Sequence, residues 1–237
     1  MGNRFSDQME KIIRGAGRPM GFGQNAAAIK PRLFIMAEAT VIDEGAGLPG
    51  IDAVLVPGPC NCKSEKSGVL RGCAIGGETE HSGCEFVVVS LDGAVGADLG
   101  EDTARLLRIE AGLTDAQLRA IGGLEPVAVI AEAGLGESLT FHDLLVVQRL
   151  TDFCGKPLIL RLPKLYSKVE LQSLSDRGIT GVIVDPAVVN TTALRETVDS
   201  LEAKKRGKDK SSAILHCPPA ATPSAEEEPE IETDEDE

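Results

Sequence analysis

"VAVIAEAGLG", residues 127–136, decides how this chain is read. An apolar run from Val127 to Ala131 ends in Glu132 and then enters a Gly-rich loop. Short, continuously apolar runs suit strands buried on both faces, as in parallel sheets. The same pattern recurs in "LFIMAEA" (33–39) and "LLRIEAG" (106–112), each closing on a carboxylate.

Working outward from this stretch, the rhythm runs from Arg32 to Lys204. Strands are predicted at 32–38, 52–57, 68–75, 85–92, 104–110, 127–132, 157–164 and 181–185. Helices are predicted after the later strands. Thr114 opens one as N-cap, and the helix within 138–155 stops at Gly155. Another reads Ser167 as N-cap, Glu170 at the capping-box position and Gly178 as its stop. The last lies in "NTTALRETVDSLEAKK" (190–205). Strands alternating with helices imply right-handed βαβ units.

Eight such strands predict a small (β/α)8 barrel over 32–204. The first three crossovers are short, so its first half is expected to be partly degenerate. The alternative is a seven-stranded open parallel α/β sheet, with the third strand false. At the level of architecture the stretch resembles the aldolase-type TIM-barrel superfamily. That resemblance implies a fold and no reaction.

Residues 1–31 read as a leader with one short amphipathic helix in "FSDQMEKIIRG" (5–15), Ser6 as its N-cap. Residues 205–237 read as a disordered basic linker and acidic tail, "EEEPEIETDEDE" at the end. Such a segment has too little apolar surface to offset its chain entropy. Nine acidic residues lie in the last twelve positions, so the net charge of −13 is not a property of the barrel region alone.

No basic, aromatic-studded surface is visible, which argues against nucleic-acid binding. No apolar run is long enough to cross a membrane, and no secretory signal core precedes the first strand. The expected location is the cytoplasm. A homo-oligomer is compatible with the sequence, and the acidic tail offers charge to a basic partner.

Side chains alternate across a strand, and in a barrel one parity faces the helices while the other faces the lumen. This sends Glu38, Arg108, Glu110, Glu132 and Arg161 inward, with Asp92 and Asp185 at the ends of their runs. All the carboxylates fall at C-terminal strand ends, where TIM barrels build their sites. Gathered carboxylates can hold a hard divalent cation such as Mg²⁺. They can also act as general acid and base, because repulsion and burial separate their pKa values. Glu132, Glu38, Asp185, Glu110 and Lys164 are the catalytic candidates. Arg161, Arg108 and Asp92 are the substrate-binding candidates. The competing reading is structural: Arg108 and Arg161 neutralise the carboxylates as an internal brace.

Cys60, Cys62, Cys73 and Cys84 lie in one stretch with His81 and form a weak zinc candidate. Their C-x-C spacing departs from the C-x₂₋₄-C knuckles of structural zinc. Two readings of function follow. One is a lyase or isomerase acting on a small oxygenated metabolite at the barrel mouth. The other is a non-catalytic scaffold or pseudoenzyme with an acidic interaction tail.

Overall fold

Eight parallel strands, β1 (Phe34–Glu38), β2 (Ala53–Pro57), β3 (Leu70–Ile75), β4 (Phe86–Ser90), β5 (Ala104–Glu110), β6 (Ala128–Glu132), β7 (Leu158–Arg161) and β8 (Gly181–Val184), close into a barrel in sequence order. The computed structural model describes residues 3–14, 33–41, 47–58, 68–75, 83–93 and 103–202. The open-sheet alternative is overturned, because β8 pairs with β1 from Phe34↔Gly181 to Ala37↔Val184. The third strand is real and pairs with both β2 and β4. Most strands are a residue or more shorter than their apolar runs, and β4, β7 and β8 stop short of Asp92, Lys164 and Asp185. The predicted tail lies outside the described residues.

Five helices are described: α1 (Arg4–Arg14), α2 (Asp115–Gly123), α3 (Phe141–Cys154), α4 (Lys168–Asp176) and α5 (Thr191–Asp199). The last four follow β5, β6, β7 and β8. Full capping boxes open α2, α3 and α4 at Thr114, Thr140 and Ser167. Each box satisfies donors that the first helical turn leaves unpaired. Asn190 caps α5 by accepting from Ala193 N. Gly155 ends α3 in the left-handed conformation, φ 61°.

The outer core sets Ile35, Ala37, Val129, Ala131, Leu158, Leu160, Val182 and Val184 against Leu118, Val147, Leu150, Leu171, Leu174, Leu194 and Val198 of the helices. Fully burying each aliphatic side chain is worth about 1.5–3 kcal/mol. The opposite strand parity fills the lumen with Met36, Leu55, Val88, Leu106, Ile130, Ile159 and Ile183. The alternation read from the sequence is therefore the alternation of the barrel wall.

The lower lumen is shaped by glycine opposite phenylalanine. Phe34 registers with Gly181 and Phe86 with Gly72. A Cβ at Gly72 would lie 2.4 Å from the Phe86 ring, and one at Gly181 would lie 2.8 Å from Phe34 O. Into this space α1 inserts Phe5, its ring centroid 5.3 Å from Phe34 and 5.1 Å from Phe86. Phe5 and Met9, one turn apart on α1, are both buried there. The leader is thus partly structural: its helix plugs the N-terminal end of the lumen. Arg4 pairs with Glu85 just ahead of β4. The helix starts at Arg4, with Asn3 rather than Ser6 in the capping position. Asn3 Oδ1 accepts from Phe5 N at 2.8 Å, and Asn3 O accepts from Asp7 N at 3.0 Å.

A buried ion pair secures the closure. Asp52 Oδ2 accepts from Arg195 Nη2 at 2.6 Å and from Ile35 N at 2.9 Å. Arg195 Nε also donates to Gly50 O at 2.8 Å. Gly50 has φ +81° and lies against Arg195, where a Cβ would come within 2.9 Å of the arginine's own Cβ. The last helix is thereby locked onto β1 and the entry to β2.

Candidate functional site

Above the apolar lumen layers the wall becomes charged. Arg108 stands one step above Leu106 on β5, Arg161 above Ile159 on β7, Glu132 above Ile130 on β6 and Glu38 above Met36 on β1. Inward parity at the C-terminal strand ends brings these four together, as the alternation predicts.

Glu38 is the hub. Its Oε1 accepts from Arg108 Nη2 at 3.3 Å, and its Oε2 pairs with Arg161 Nη2. Glu132 is held more loosely, with Oε1 3.7 Å from Arg108 Nε and 3.5 Å from Arg161 Nε. Side-chain exposure follows the same division, 16% for Glu38 and 39% for Glu132. Both Nε atoms are buried and lack a hydrogen-bond partner. The quartet carries two positive and two negative charges, so it is neutral as a set.

The other sequence candidates stand apart from these ion pairs. Glu110 ends β5 in register with Glu132 and is exposed. Asp185 follows β8, and its Oδ1 accepts from Ala187 N at 2.8 Å. That bond folds Asp185 into its own turn instead of the lumen. Asp92 is exposed in the turn after β4, which Gly93 N closes by donating to Ser90 O. Lys164 Nζ sits 3.5 Å from Glu137 Oε2 and 5.9 Å from the Tyr166 ring centroid. Tyr166 is buried and donates to Gly136 O at 2.7 Å, tying the loop after β7 to the loop after β6. Burial, then the nearby Asp143, Glu170 and Glu137 carboxylates, push its hydroxyl pKa up to about 12.

Among the described residues no group of three or more His, Cys, Asp or Glu is placed to hold a metal ion. The expected Mg²⁺ use of the carboxylates has no donor set there, because Glu38 and Glu132 are turned onto arginines and Asp185 onto its turn. Cys60 and Cys62 lie outside the described residues. Cys73 and Cys84 are described, and their Sγ atoms are 3.6 Å apart. Sequence reasoning missed three features: the Asp52–Arg195 latch, the Phe5 plug and the Tyr166 tie. The first two join residues far apart in the chain and leave no local pattern.

No family model matches the chain, and no curated protein matches it. Solved structures do. One is a protein from Aquifex aeolicus VF5, 10% identical, covering 84% of this chain and 97% of that one, TM-score 0.51. A second is thiamine phosphate pyrophosphorylase from Pyrococcus furiosus, 8% identical, covering 71% and 96%, TM-score 0.49. A third is an HpcH/HpaI aldolase from Desulfitobacterium hafniense DCB-2, 12% identical, covering 71% and 90%, TM-score 0.42. At these identities the likeness speaks to fold alone. With its closed ring of eight parallel strands, the chain is a TIM-type barrel in fold.

Proposed function

We propose that the C-terminal mouth binds a small oxygenated metabolite carrying a carboxylate or similar oxyanion, for lyase or isomerase chemistry. The observation that carries this is the pair of buried Nε atoms on Arg108 and Arg161 that make no hydrogen bond, with only the loosely held Glu132 carboxylate 3.7 and 3.5 Å away. A buried donor left unpaired costs about 1–3 kcal/mol. Two such donors side by side, in a network otherwise anchored on Glu38, are a deficit that a ligand oxyanion would relieve. Guanidinium groups suit that task through paired, charge-assisted bonds.

In this reading Glu38 orients both guanidinium groups. Arg108 and Arg161 hold the oxyanion. Glu132, the more exposed and more loosely held carboxylate, transfers a proton to or from the bound metabolite. Glu110, Asp185, Asp92 and Lys164 are rim groups open to the rest of the substrate.

The test is a thermal-shift and calorimetric screen with small 2-hydroxy and 2-oxo carboxylates and inorganic phosphate. At least one ligand is expected to stabilise the protein. Arg161→Lys and Arg108→Lys are expected to lose that shift, and Glu132→Gln to keep binding while losing substrate proton exchange. Stabilisation by none of these ligands would overturn the proposal.

A second reading is favoured by the neutrality of the quartet: the ions brace the barrel of a non-catalytic scaffold, and the acidic tail carries the interactions. Replacing a buried ion network by apolar residues of similar volume is often neutral or stabilising. A quartet variant (Glu38→Leu, Arg108→Met, Glu132→Leu, Arg161→Met) that keeps every physiological partner supports the brace. Removal of residues 205–237 without a change in partners or oligomeric state counts against the tail.

A further inference from the structure

One atom of the quartet occupies the position a ligand oxygen would need. Arg108 and Arg161 each turn Nη2 onto Glu38 and keep Nε buried without a hydrogen bond. The same atom, Glu132 Oε1, faces both Nε groups, at 3.7 and 3.5 Å. A charge-assisted N–H···O bond closes to about 2.7–2.9 Å. Glu132 Oε1 therefore fills the place of a shared acceptor without making either bond. Its side chain is also the most exposed of the four, so it can leave that place at little cost.

The layer below sets the depth of the site. Met36, Leu106, Ile130 and Ile159 are buried one step beneath Glu38, Arg108, Glu132 and Arg161. Nothing in that layer solvates a charge. An anion entering from the mouth stops at the guanidinium groups, and the rest of the molecule faces outward.

Charge decides which anion fits. Glu38, Arg108 and Arg161 together leave one positive charge in excess, which Glu132 cancels. A singly charged carboxylate in place of Glu132 Oε1 restores the balance. A doubly charged anion leaves a surplus negative charge beside the displaced Glu132. Glu110, in register with Glu132 at the end of β5, adds to that repulsion. Lys164 is already paired with Glu137 and Asp185 is bonded into its own turn.

Given the mouth as the binding site, as proposed, we infer that Glu132 is a built-in stand-in for the ligand and that the site takes singly charged carboxylates by exchange. The ligand oxygen replaces Glu132 Oε1 between the two Nε–H groups, and Glu132 turns toward the mouth. Glu132 is thus specificity-determining for ligand charge, and its displacement leaves it beside the bound metabolite, where proton transfer requires it.

The test uses the full chain, with formate and acetate as singly charged probes and sulfate as the doubly charged one. Glu132→Ala empties the shared position and is expected to bind formate and acetate roughly fivefold or more tightly than the wild type, the gain from no longer breaking a partly exposed ion pair. Glu132→Gln keeps the bulk, removes the charge and is expected to move affinity in the same direction. Sulfate is expected to bind the wild type more weakly than acetate does. In heteronuclear NMR the Nε–H signals of Arg108 and Arg161, assigned through Arg108→Lys and Arg161→Lys, are expected to shift together as formate is added. Carboxylate binding that shifts these signals but is tightened by neither Glu132 variant, or is matched by sulfate, would overturn the exchange and leave the mouth a binding site. Carboxylates that shift neither signal in any form of the protein would overturn the proposed function and the exchange together.

Discussion

Glu38 and Arg108 stand on β1 and β5, opposite staves of an eight-stranded barrel, and their side chains meet at 3.3 Å across the lumen. Glu38 also holds Arg161 on β7. One carboxylate thus links three walls, whereas Glu132 adds only contacts of 3.5 and 3.7 Å. The two glutamates should therefore behave differently. Glu38→Gln leaves two partly buried guanidinium groups short of charge and should cost about 2–3 kcal/mol. Glu132→Gln removes a weaker, more exposed pairing and should cost less than about 1 kcal/mol. Urea unfolding of the two variants checks the contrast, and equal costs would contradict the hub.

Arg195→Met should be among the more damaging single changes outside the lumen. It leaves the buried Asp52 carboxylate without its guanidinium, and Gly50 O loses its donor. Breaking a buried pair from one side costs about 3–5 kcal/mol. The expected result is a large fall in the denaturation midpoint, partly recovered when Asp52→Asn is added.

Phe5→Ala should show that the leader helix belongs to the core. Its ring is fully buried between Phe34 and Phe86. Phe→Ala in a packed core costs about 3–5 kcal/mol. Calorimetry should record the loss, and a hydrophobic dye should gain access to the opened N-terminal end of the lumen. Exposed Ile13, on the same helix, should tolerate alanine with little change.

Tyr166 gives a pH signature because it is the chain's one tyrosine. Its folded pKa is raised from 10 to about 12, chiefly by burial. Below pH 10 both folded and unfolded chains keep the proton, and the contribution to stability is intact. Between 10 and about 12 the unfolded chain ionises first, so stability falls as pH rises. Ultraviolet titration of the folded protein should show the late ionisation. Tyr166→Phe should remove this part of the alkaline slope.

Much of this architecture was legible in strand parity. Arg108 and Glu132 face inward as their neighbours Leu107, Ile109, Val129 and Ala131 require, because the helix-side core rejects charge. What parity cannot say is which charge meets which. The Glu38–Arg108 contact depends on barrel closure setting β1 opposite β5, a property of the whole ring. Asp185 and Asp92 have the right spacing but fall just beyond their strands, where the turns take over the backbone. The α1 plug was hidden for another reason. Phe5 and Met9 share one helix face, and that pattern marks an apolar stripe without naming its dock.

The position of that dock bears on the order in which the protein can assemble during synthesis. Chains leave the ribosome from the N-terminus, and α1 emerges before any wall of the barrel exists. Phe5 needs Phe34 and Phe86 together, and Phe86, the first residue of β4, is made only after three strands are complete. The α1 segment, made ahead of the wall, must therefore wait for its seat. Until then its apolar stripe stands as a handle for chaperones or for unwanted association.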